Sequence, residues 1–175
     1  MSLRIAALGM LVQAPGSGYD LLKRFEKSMA NVWPATQSQL YGELNKLADA
    51  GLIEVSAVGP RGRKEYRATD TGREELVRWI TSPQDDPPVR SAALLRVFLL
   101  SEIPAADARE YMLTVAQRAD DDIKSLEQLR DSIKWDDTDA DFYGGTALEF
   151  GLRRARLEAD WARWAVAGID ERAKK

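Results

Sequence analysis

The spacing of apolar residues changes twice within the first 80 residues, from a helical repeat to the alternation of strands and back to a helical repeat. Helices are predicted at about 3–13, 19–29 and 36–50, the last of them ending at Gly51 in a left-handed conformation. Strands are predicted at about 52–58 and 64–68, joined by the turn sequence Gly59-Pro60-Arg61-Gly62-Arg63. A fourth helix is expected to begin after Thr69 or Thr71, because Thr71-Gly72-Arg73-Glu74 fits a capping box.

Three helices, a hairpin and a closing helix are the outline of a winged helix-turn-helix domain with a two-stranded β-wing. The sequence Ser82-Pro83-Gln84-Asp85-Asp86-Pro87-Pro88 cannot continue a helix and predicts a linker. Beyond it, helices are predicted at about 92–101, 105–134 and 147–170, with an Asp-rich loop over 134–146. We therefore predict a mostly α protein with two domains, a winged helix-turn-helix over residues 1–82 and a helical dimerisation domain over residues 83–175.

The composition excludes most catalytic mechanisms. The 175 residues include no cysteine and no histidine, which removes thiolate chemistry, the commonest general base and the commonest transition-metal ligand. Magnesium-dependent hydrolysis by Asp120-Asp121-Asp122 or Asp136-Asp137 survives as an alternative. Neighbouring helical side chains point about 100° apart, so a solvated acidic surface is the preferred interpretation. We expect no enzyme activity, no cofactor and no metal. We also expect a cytoplasmic location with no membrane partner, because no export signal or spanning segment is visible.

The charge is distributed unevenly along the chain. Residues 1–80 hold 11 Lys/Arg against 9 Asp/Glu, whereas residues 81–175 hold 14 against 19, so the two parts carry net charges of +2 and −5. Arg61, Arg63 and Lys64 cluster at the predicted hairpin tip. Cations repel one another there unless a polyanion is near, which favours phosphate contact over the alternative of a solvated basic turn.

The third predicted helix has one apolar face and one polar face. Leu40, Leu44 and Leu47 form the apolar face, and the opposite face carries amides, hydroxyls, Gly42 and one lysine. Such side chains suit the base edges of the major groove, although a polar surface helix without a ligand would look the same. Together with the wing and the start of the second helix, this face gives the candidate DNA-binding residues. They are Tyr19, Thr36, Gln37, Ser38, Gln39, Tyr41, Asn45, Lys46, Arg61, Arg63 and Lys64.

Four sequence blocks resemble the PadR family of transcriptional regulators in their order and spacing. They are Gly18-Tyr19-Asp20-Leu21-Leu22, Ser38-Gln39-Leu40-Tyr41-Gly42-Glu43-Leu44-Asn45-Lys46-Leu47, Gly51-Leu52-Ile53 and Arg63-Lys64-Glu65-Tyr66-Arg67-Ala68-Thr69-Asp70-Thr71-Gly72-Arg73. The resemblance extends to about residue 80, and Gly42 departs from it where many members carry proline or a larger residue. It implies a homodimeric DNA-binding regulator, usually a repressor, on a palindromic operator in double-stranded DNA. It also implies a helical C-terminal dimerisation region, and some relatives respond to small aromatic or hydrophobic effectors.

The last predicted helix carries two apolar stripes on opposite sides. One is built around Leu152 and alanines, the other around Phe150, Leu157, Trp161 and Trp164. A surface helix needs one such stripe, so a second subunit is expected to cover the other, unless the helix is central to its own bundle. Trp161 and Trp164 could instead line a ligand pocket, but interface core is preferred. With a near-heptad seam on the long helix, the candidate dimerisation residues are Met112, Val115, Leu126, Leu148, Leu152, Ala155, Leu157, Ala159, Trp161 and Trp164.

A second interpretation from another class stays open. Because the net charge of the chain is −3 and the first 80 residues are only slightly basic, a winged-helix shell could serve as a protein-interaction module without specific DNA binding. A module of this kind would not be retained on DNA even at low salt.

Overall fold

The computed structural model of the chain describes residues 2–28, 35–82 and 90–174, apart from the side chains of residues 2, 27, 28 and 61. The chain divides into two compact units, Met1–Asp86 and Pro87–Lys175. The predicted end of the second helix at Trp33-Pro34 lies outside the described residues. So does nearly all of the predicted linker, including the position just after residue 82 where the domain boundary was placed.

The first unit combines four helices with a small antiparallel sheet. The helices are α1 (Ser2–Gln13), α2 (Gly18–Ser28), α3 (Gln37–Asp49) and α4 (Asp70–Thr81). The strands are β1 (Gly16–Ser17), β2 (Ile53–Val58) and β3 (Lys64–Ala68), in the order β1-β3-β2. The winged helix-turn-helix outline is confirmed, but the sheet has three strands rather than two. The prediction missed β1 because two residues, Gly16 and Ser17, are too few to show an alternating pattern, and they pair with Tyr66 and Glu65 of β3.

The core of the first unit forms where three helices meet the sheet. As predicted, α3 buries Leu40, Leu44 and Leu47 and leaves its opposite face exposed. They pack in one cluster with Leu8 and Leu11 of α1, Leu21 and Phe25 of α2, and Ile53 of β2. Burying each of these side chains contributes about 1.5–3 kcal/mol, which fixes α3 on the domain with its polar side outward.

The ends of these helices are set by specific caps. Thr36 and Gln39 form a capping box at the start of α3, and Gly51 follows its end with φ +69°, as predicted. Thr69 caps α4 by accepting a hydrogen bond from the Gly72 N–H, so the alternative start after Thr71 is wrong. The Thr69 hydroxyl also donates to the Gly51 carbonyl at 2.8 Å, which ties the start of α4 to the turn after α3.

The second unit is entirely helical in its described part. It contains α5 (Ala92–Phe98), a short 3-10 turn at Leu100–Glu102, α6 (Ala105–Ser132) and α7 (Asp139–Arg172). The predicted loop over 134–146 is wrong in its second part, because α7 begins at Asp139. Thr138 and Asp141 form a capping box there, which starts the helix in spite of the following Gly144-Gly145 pair. Among the described residues, no helix is both long and apolar enough to cross a membrane.

Helices α6 and α7 pack side by side and run in opposite directions. Met112, Val115 and Ala116 of α6 form a buried cluster with Ala162 and Val166 of α7. Three ion pairs join the same two helices along one flank. They are Arg109–Asp170 at 2.7 Å, Arg163–Asp120 at 2.6 Å and Arg156–Glu127 at 3.0 Å.

Candidate nucleic-acid interface

The outward face of α3 presents the hydrogen-bonding side chains expected of a base-reading helix. Gln37, Ser38 and Asn45 are exposed, as are Tyr41 and Lys46. The Lys46 ammonium donates to the Glu43 carboxylate at 2.7 Å along the same helix, so part of its charge is balanced. The amides and hydroxyls of this face can bond to base edges, and they carry no net charge of their own.

Thr36 and Gln39 are exposed but engaged with each other. The Gln39 Oε1 atom accepts from the Thr36 N–H at 2.8 Å, and the Gln39 N–H donates to the Thr36 Oγ1 atom at 3.3 Å. Both residues are among those predicted to contact DNA, and their capping box was not predicted. The pattern Thr-x-x-Gln before an apolar helix was the available signal. The pair orders the first turn of α3.

The wing carries fewer unbalanced charges than its sequence suggests. The Arg63 Nη2 atom donates to the Asp20 Oδ2 atom of α2 at 2.5 Å, and Arg67 pairs with Glu54 across the hairpin at 2.6 Å. Lys64 is exposed. Arg61 lies in the 3-10 turn at the tip, Pro60–Gly62, and its side chain is not among those described.

Asp20 joins the wing to the start of α2. Its Oδ2 atom accepts from the Ser17 hydroxyl at 2.7 Å and the Ser17 N–H at 3.0 Å, in addition to Arg63. The two hydrogen bonds from Ser17, followed by the one from Arg63, lower the pKa of Asp20 to about 2. The carboxylate is therefore ionised throughout the neutral range. Sequence reasoning missed this residue, although Ser17 three positions before Asp20 is a pattern typical of helix starts.

A shallow cleft of about 260 Å³ lies where α2, α3 and the wing meet. Its lining combines aromatic rings with cations: Ser17, Gly18, Tyr19, Tyr41, Gly62, Arg63, Lys64 and Tyr66. Tyr19 is half exposed, and the Lys23 ammonium lies 4.7 Å from the centroid of its ring. The structure thus brings predicted residues from three separate sequence blocks to one place. Tyrosine hydroxyls beside lysine and arginine suit phosphate oxygens.

The predicted dimerisation residues differ in how deeply they are buried in the single chain. Met112, Val115, Leu152, Ala155 and Ala159 are buried within the chain's own second unit. Leu126 and Leu148 are partly buried, and Trp161 packs against the cluster between α6 and α7. Leu157 and Trp164 remain 70% and 73% exposed. Phe150, predicted on the same apolar stripe but not among the dimerisation residues, is 70% exposed.

Acidic side chains in and beside the two Asp-rich runs are engaged in contacts within the chain. Asp120 accepts from Arg163, and Asp121 accepts from the Gln117 amide at 3.0 Å. Asp141 is occupied by hydrogen bonds from the Thr138 hydroxyl and the N–H groups of Asp136 and Thr138. In the part of the chain that the structure describes, no three acidic side chains are placed to hold a metal ion together.

A helix-turn-helix whose second helix exposes amides, followed by a hairpin that reaches beside it, defines the class of winged-helix transcription regulators. Residues 7–78 match the transcriptional regulator PadR-like family, and residues 89–170 match the virulence activator alpha C-terminal family. The chain is 30% identical over 189 residues to the probable transcriptional regulator Rv1176c of Mycobacterium tuberculosis, covering 98% of this chain and 100% of that protein. The chain belongs to the PadR family of transcriptional regulators.

Other relatives extend the similarity over both units. The negative transcriptional regulator PadR of Bacillus subtilis is 29% identical over 178 residues, covering 97% of this chain and 98% of that protein. Its crystal structure in complex with operator DNA matches with a TM-score of 0.84 and 26% identity, covering 97% of this chain and 99% of that one. Its crystal structure in complex with p-coumaric acid matches with a TM-score of 0.82 and 28% identity, again covering 97% of this chain and 99% of that one. The Vibrio cholerae virulence activator AphA shares the fold at a TM-score of 0.80, with 21% identity over 97% of this chain and 98% of that one.

Proposed function

We propose that this protein is a homodimeric repressor that binds an inverted-repeat operator through α3 and the wing. The observation that carries the proposal is the exposed polar face of α3, with Ser38 and Asn45, in the same compact unit as the cleft lined by Tyr19, Tyr41 and Lys64. Amide and hydroxyl groups distinguish base edges, whereas hydroxyl and cationic groups bind phosphates of any sequence. The relative from B. subtilis, crystallised with operator DNA, supports the same assignment.

The roles divide by chemistry. We assign base contacts to Gln37, Ser38 and Asn45, which are exposed on the outward face of α3. We assign phosphate contacts to the cleft and the wing, through Tyr19, Tyr41, Arg61, Arg63 and Lys64, and to Lys46 on α3. Thr36 and Gln39 act indirectly, since their capping box orders the first turn whose N–H groups face outward.

The homodimer is proposed from the uncovered stripe on α7. Phe150, Leu157 and Trp164 are spaced seven residues apart, so they follow one line along a helix for about 21 Å. All three are at least 70% exposed in the single chain. Large apolar side chains in a row are costly to leave in water, and a heptad repeat is the pattern by which one helix packs on another. A second copy supplies that helix and gives two recognition helices for two half-sites.

A symmetric dimer implies a symmetric operator. Two copies of α3 fit one face of the duplex when the half-site centres are about 34 Å, or one helical turn, apart. We also propose that a small aromatic compound releases the repressor. The support is the relative crystallised with p-coumaric acid, whose sequence matches over 97% of this chain.

The test begins with selection of bound fragments from genomic DNA, followed by footprinting of the recovered site. The expected result is protection of an inverted repeat and lower transcription from a reporter that carries it, with recovery when p-coumaric acid is added. If the protein retains no DNA even at low salt and a protein partner is recovered through the helical unit, the protein-interaction module is supported instead.

A further inference from the structure

Asp20 bonds both to Ser17, just before α2, and to Arg63 at the tip of the wing. Its Oδ2 atom receives two hydrogen bonds from Ser17 and one from Arg63, at 2.7, 3.0 and 2.5 Å. Ser17 itself is only 2% exposed and belongs to β1, which pairs with β3. The carboxylate is therefore held in place from the body of the unit, and Arg63 is the partner that reaches it from the tip of the wing.

The position of this ion pair matters because Arg63 lines the same cleft as Tyr19, Tyr41 and Lys64. The Arg63 side chain is half exposed, so a guanidinium already bonded through one nitrogen still presents part of its surface to solvent. Arginine carries five N–H donors in a planar fork, and one carboxylate oxygen occupies only part of that set. The remaining donors can bind a phosphate.

We propose that Asp20 is a positioning residue for DNA binding, which holds the Arg63 guanidinium beside the cleft before the duplex arrives. The inference rests on the proposed function and adds to it a residue that does not itself contact DNA. A negative charge close to a phosphate path would by simple electrostatics only weaken binding. In water that repulsion is small and screened by salt, whereas an unanchored arginine must lose its rotamer freedom when it binds.

The hairpin supplies a matched control for the same chemical change. Arg67 and Glu54 form an equally short ion pair at 2.6 Å, with comparably exposed side chains, but neither residue lines the cleft. Asp20→Asn and Glu54→Gln each convert a paired carboxylate into an amide and release one arginine of the wing. Asp20→Asn also keeps an oxygen that can accept from Ser17, so the start of α2 retains its cap.

The experiment measures the affinity of full-length protein for its selected operator and for a scrambled duplex, by fluorescence anisotropy. Asp20→Asn is expected to weaken binding to both duplexes about three- to tenfold, because one long side chain is no longer ordered in advance. Glu54→Gln is expected to leave both affinities near those of the wild type. In an Arg63→Ala background, Asp20→Asn should cause no further loss.

Other outcomes overturn the inference. If Asp20→Asn tightens binding while Arg63→Ala weakens it, Asp20 only repels DNA. If Asp20→Asn weakens binding equally with and without Arg63, its effect comes from the cap of α2. If the wild type binds operator and scrambled duplex equally, the sequence-specific repressor fails, but the comparison on either duplex still decides the role of Asp20. If it binds neither duplex, both proposals fall.

A readout without DNA distinguishes the inference from the proposed function. In the free protein, backbone ¹⁵N relaxation should show larger motion at Gly62, Arg63 and Lys64 in Asp20→Asn than in the wild type or Glu54→Gln. Unchanged order at the wing tip in Asp20→Asn would contradict the positioning role even if the protein binds its operator.

Discussion

Tyr41 of α3 packs on Gly18 of α2 so closely that a Cβ atom at residue 18 would stand 2.6 Å from the Tyr41 Cε1 atom. The two residues belong to separate blocks of the sequence, and their contact closes one side of the cleft at the wing. Glycine at position 18 thus determines where the Tyr41 ring and its hydroxyl lie. The first helix of the helix-turn-helix thereby sets the position of a phosphate contact on the second.

Gly18→Ala is expected to displace Tyr41 rather than unfold the domain. Tyr41 is 37% exposed and the closest atoms lie at the outer end of its ring, so the ring can swing away at a stability cost of about 1 kcal/mol, the low end for overpacking. Affinity for operator and scrambled DNA should fall together, as measured by fluorescence anisotropy alongside urea unfolding. Tyr41→Ala is the matched background, and a further loss of affinity from Gly18→Ala in that background would show that the contact is not the cause.

Gly72→Ala is expected to lower folding stability much more than Gly18→Ala does. A Cβ atom at residue 72 would lie 2.1 Å from the Leu52 carbonyl oxygen, which is backbone and cannot swing aside, and 3.2 Å from Leu8. The free energy of unfolding should fall by about 2–3 kcal/mol as α4 is pushed away from Leu52, just before β2. Urea denaturation measures this directly. Gly42→Ala serves as the control because nothing lies within 4 Å, and it should raise stability by up to about 1 kcal/mol through helix propensity.

Much of the first unit could be predicted from the sequence because its signals are local. The leucines of α3 follow one helical face, Gly51 marks the end of that helix, and the β2–β3 hairpin shows an alternating pattern around a turn. These features depend on neighbouring residues, and they place Ser38 and Asn45 on the outward face of α3. The family resemblance rests on the same local blocks.

Contacts between residues far apart in the sequence could not be predicted. Arg63 and Asp20 are 43 positions apart, and only the folded chain shows that this cation is paired. The glycines and acids of residues 134–146 predict a loop, whereas the capping box of Thr138 and Asp141 begins α7 at Asp139. The buried and exposed stripes of α7 were both recognised, but sequence periodicity cannot say which one faces the chain's own α6.

Leu157→Glu combined with Trp164→Glu tests the proposed dimer. Both side chains are largely exposed in the single chain, so the charges should leave its fold intact while opposing burial in a helix–helix interface. Light scattering after gel filtration is expected to show a dimer for the wild type and a monomer for the double variant. Ser125→Glu, exposed on α6, is the charge control and should remain dimeric. A double variant that stays dimeric would contradict the assignment of this stripe.

Asp20 also predicts a dependence of stability on pH. Its pKa is lowered from an ordinary 3.8 to about 2, so the folded state binds its proton less readily than the unfolded state. The resulting stabilisation is present above about pH 4 and is lost as the pH falls toward 2. The effect is modest because the Asp20 side chain is 42% exposed. In urea titrations at pH 5, 4 and 3, Asp20→Asn should lose less stability than the wild type, and parallel losses would contradict the role assigned to this carboxylate.

The most direct test of the central claim is a salt series of anisotropy titrations on the selected operator and a scrambled duplex. We expect the wild type to prefer the operator by at least about a hundredfold at moderate salt. Asn45→Ala should reduce that preference. Arg61→Ala combined with Arg63→Ala should instead weaken binding to both duplexes and reduce the magnitude of the slope of log affinity against log salt by about 1–2. Equal affinity of the wild type for the two duplexes would contradict sequence-specific recognition by α3.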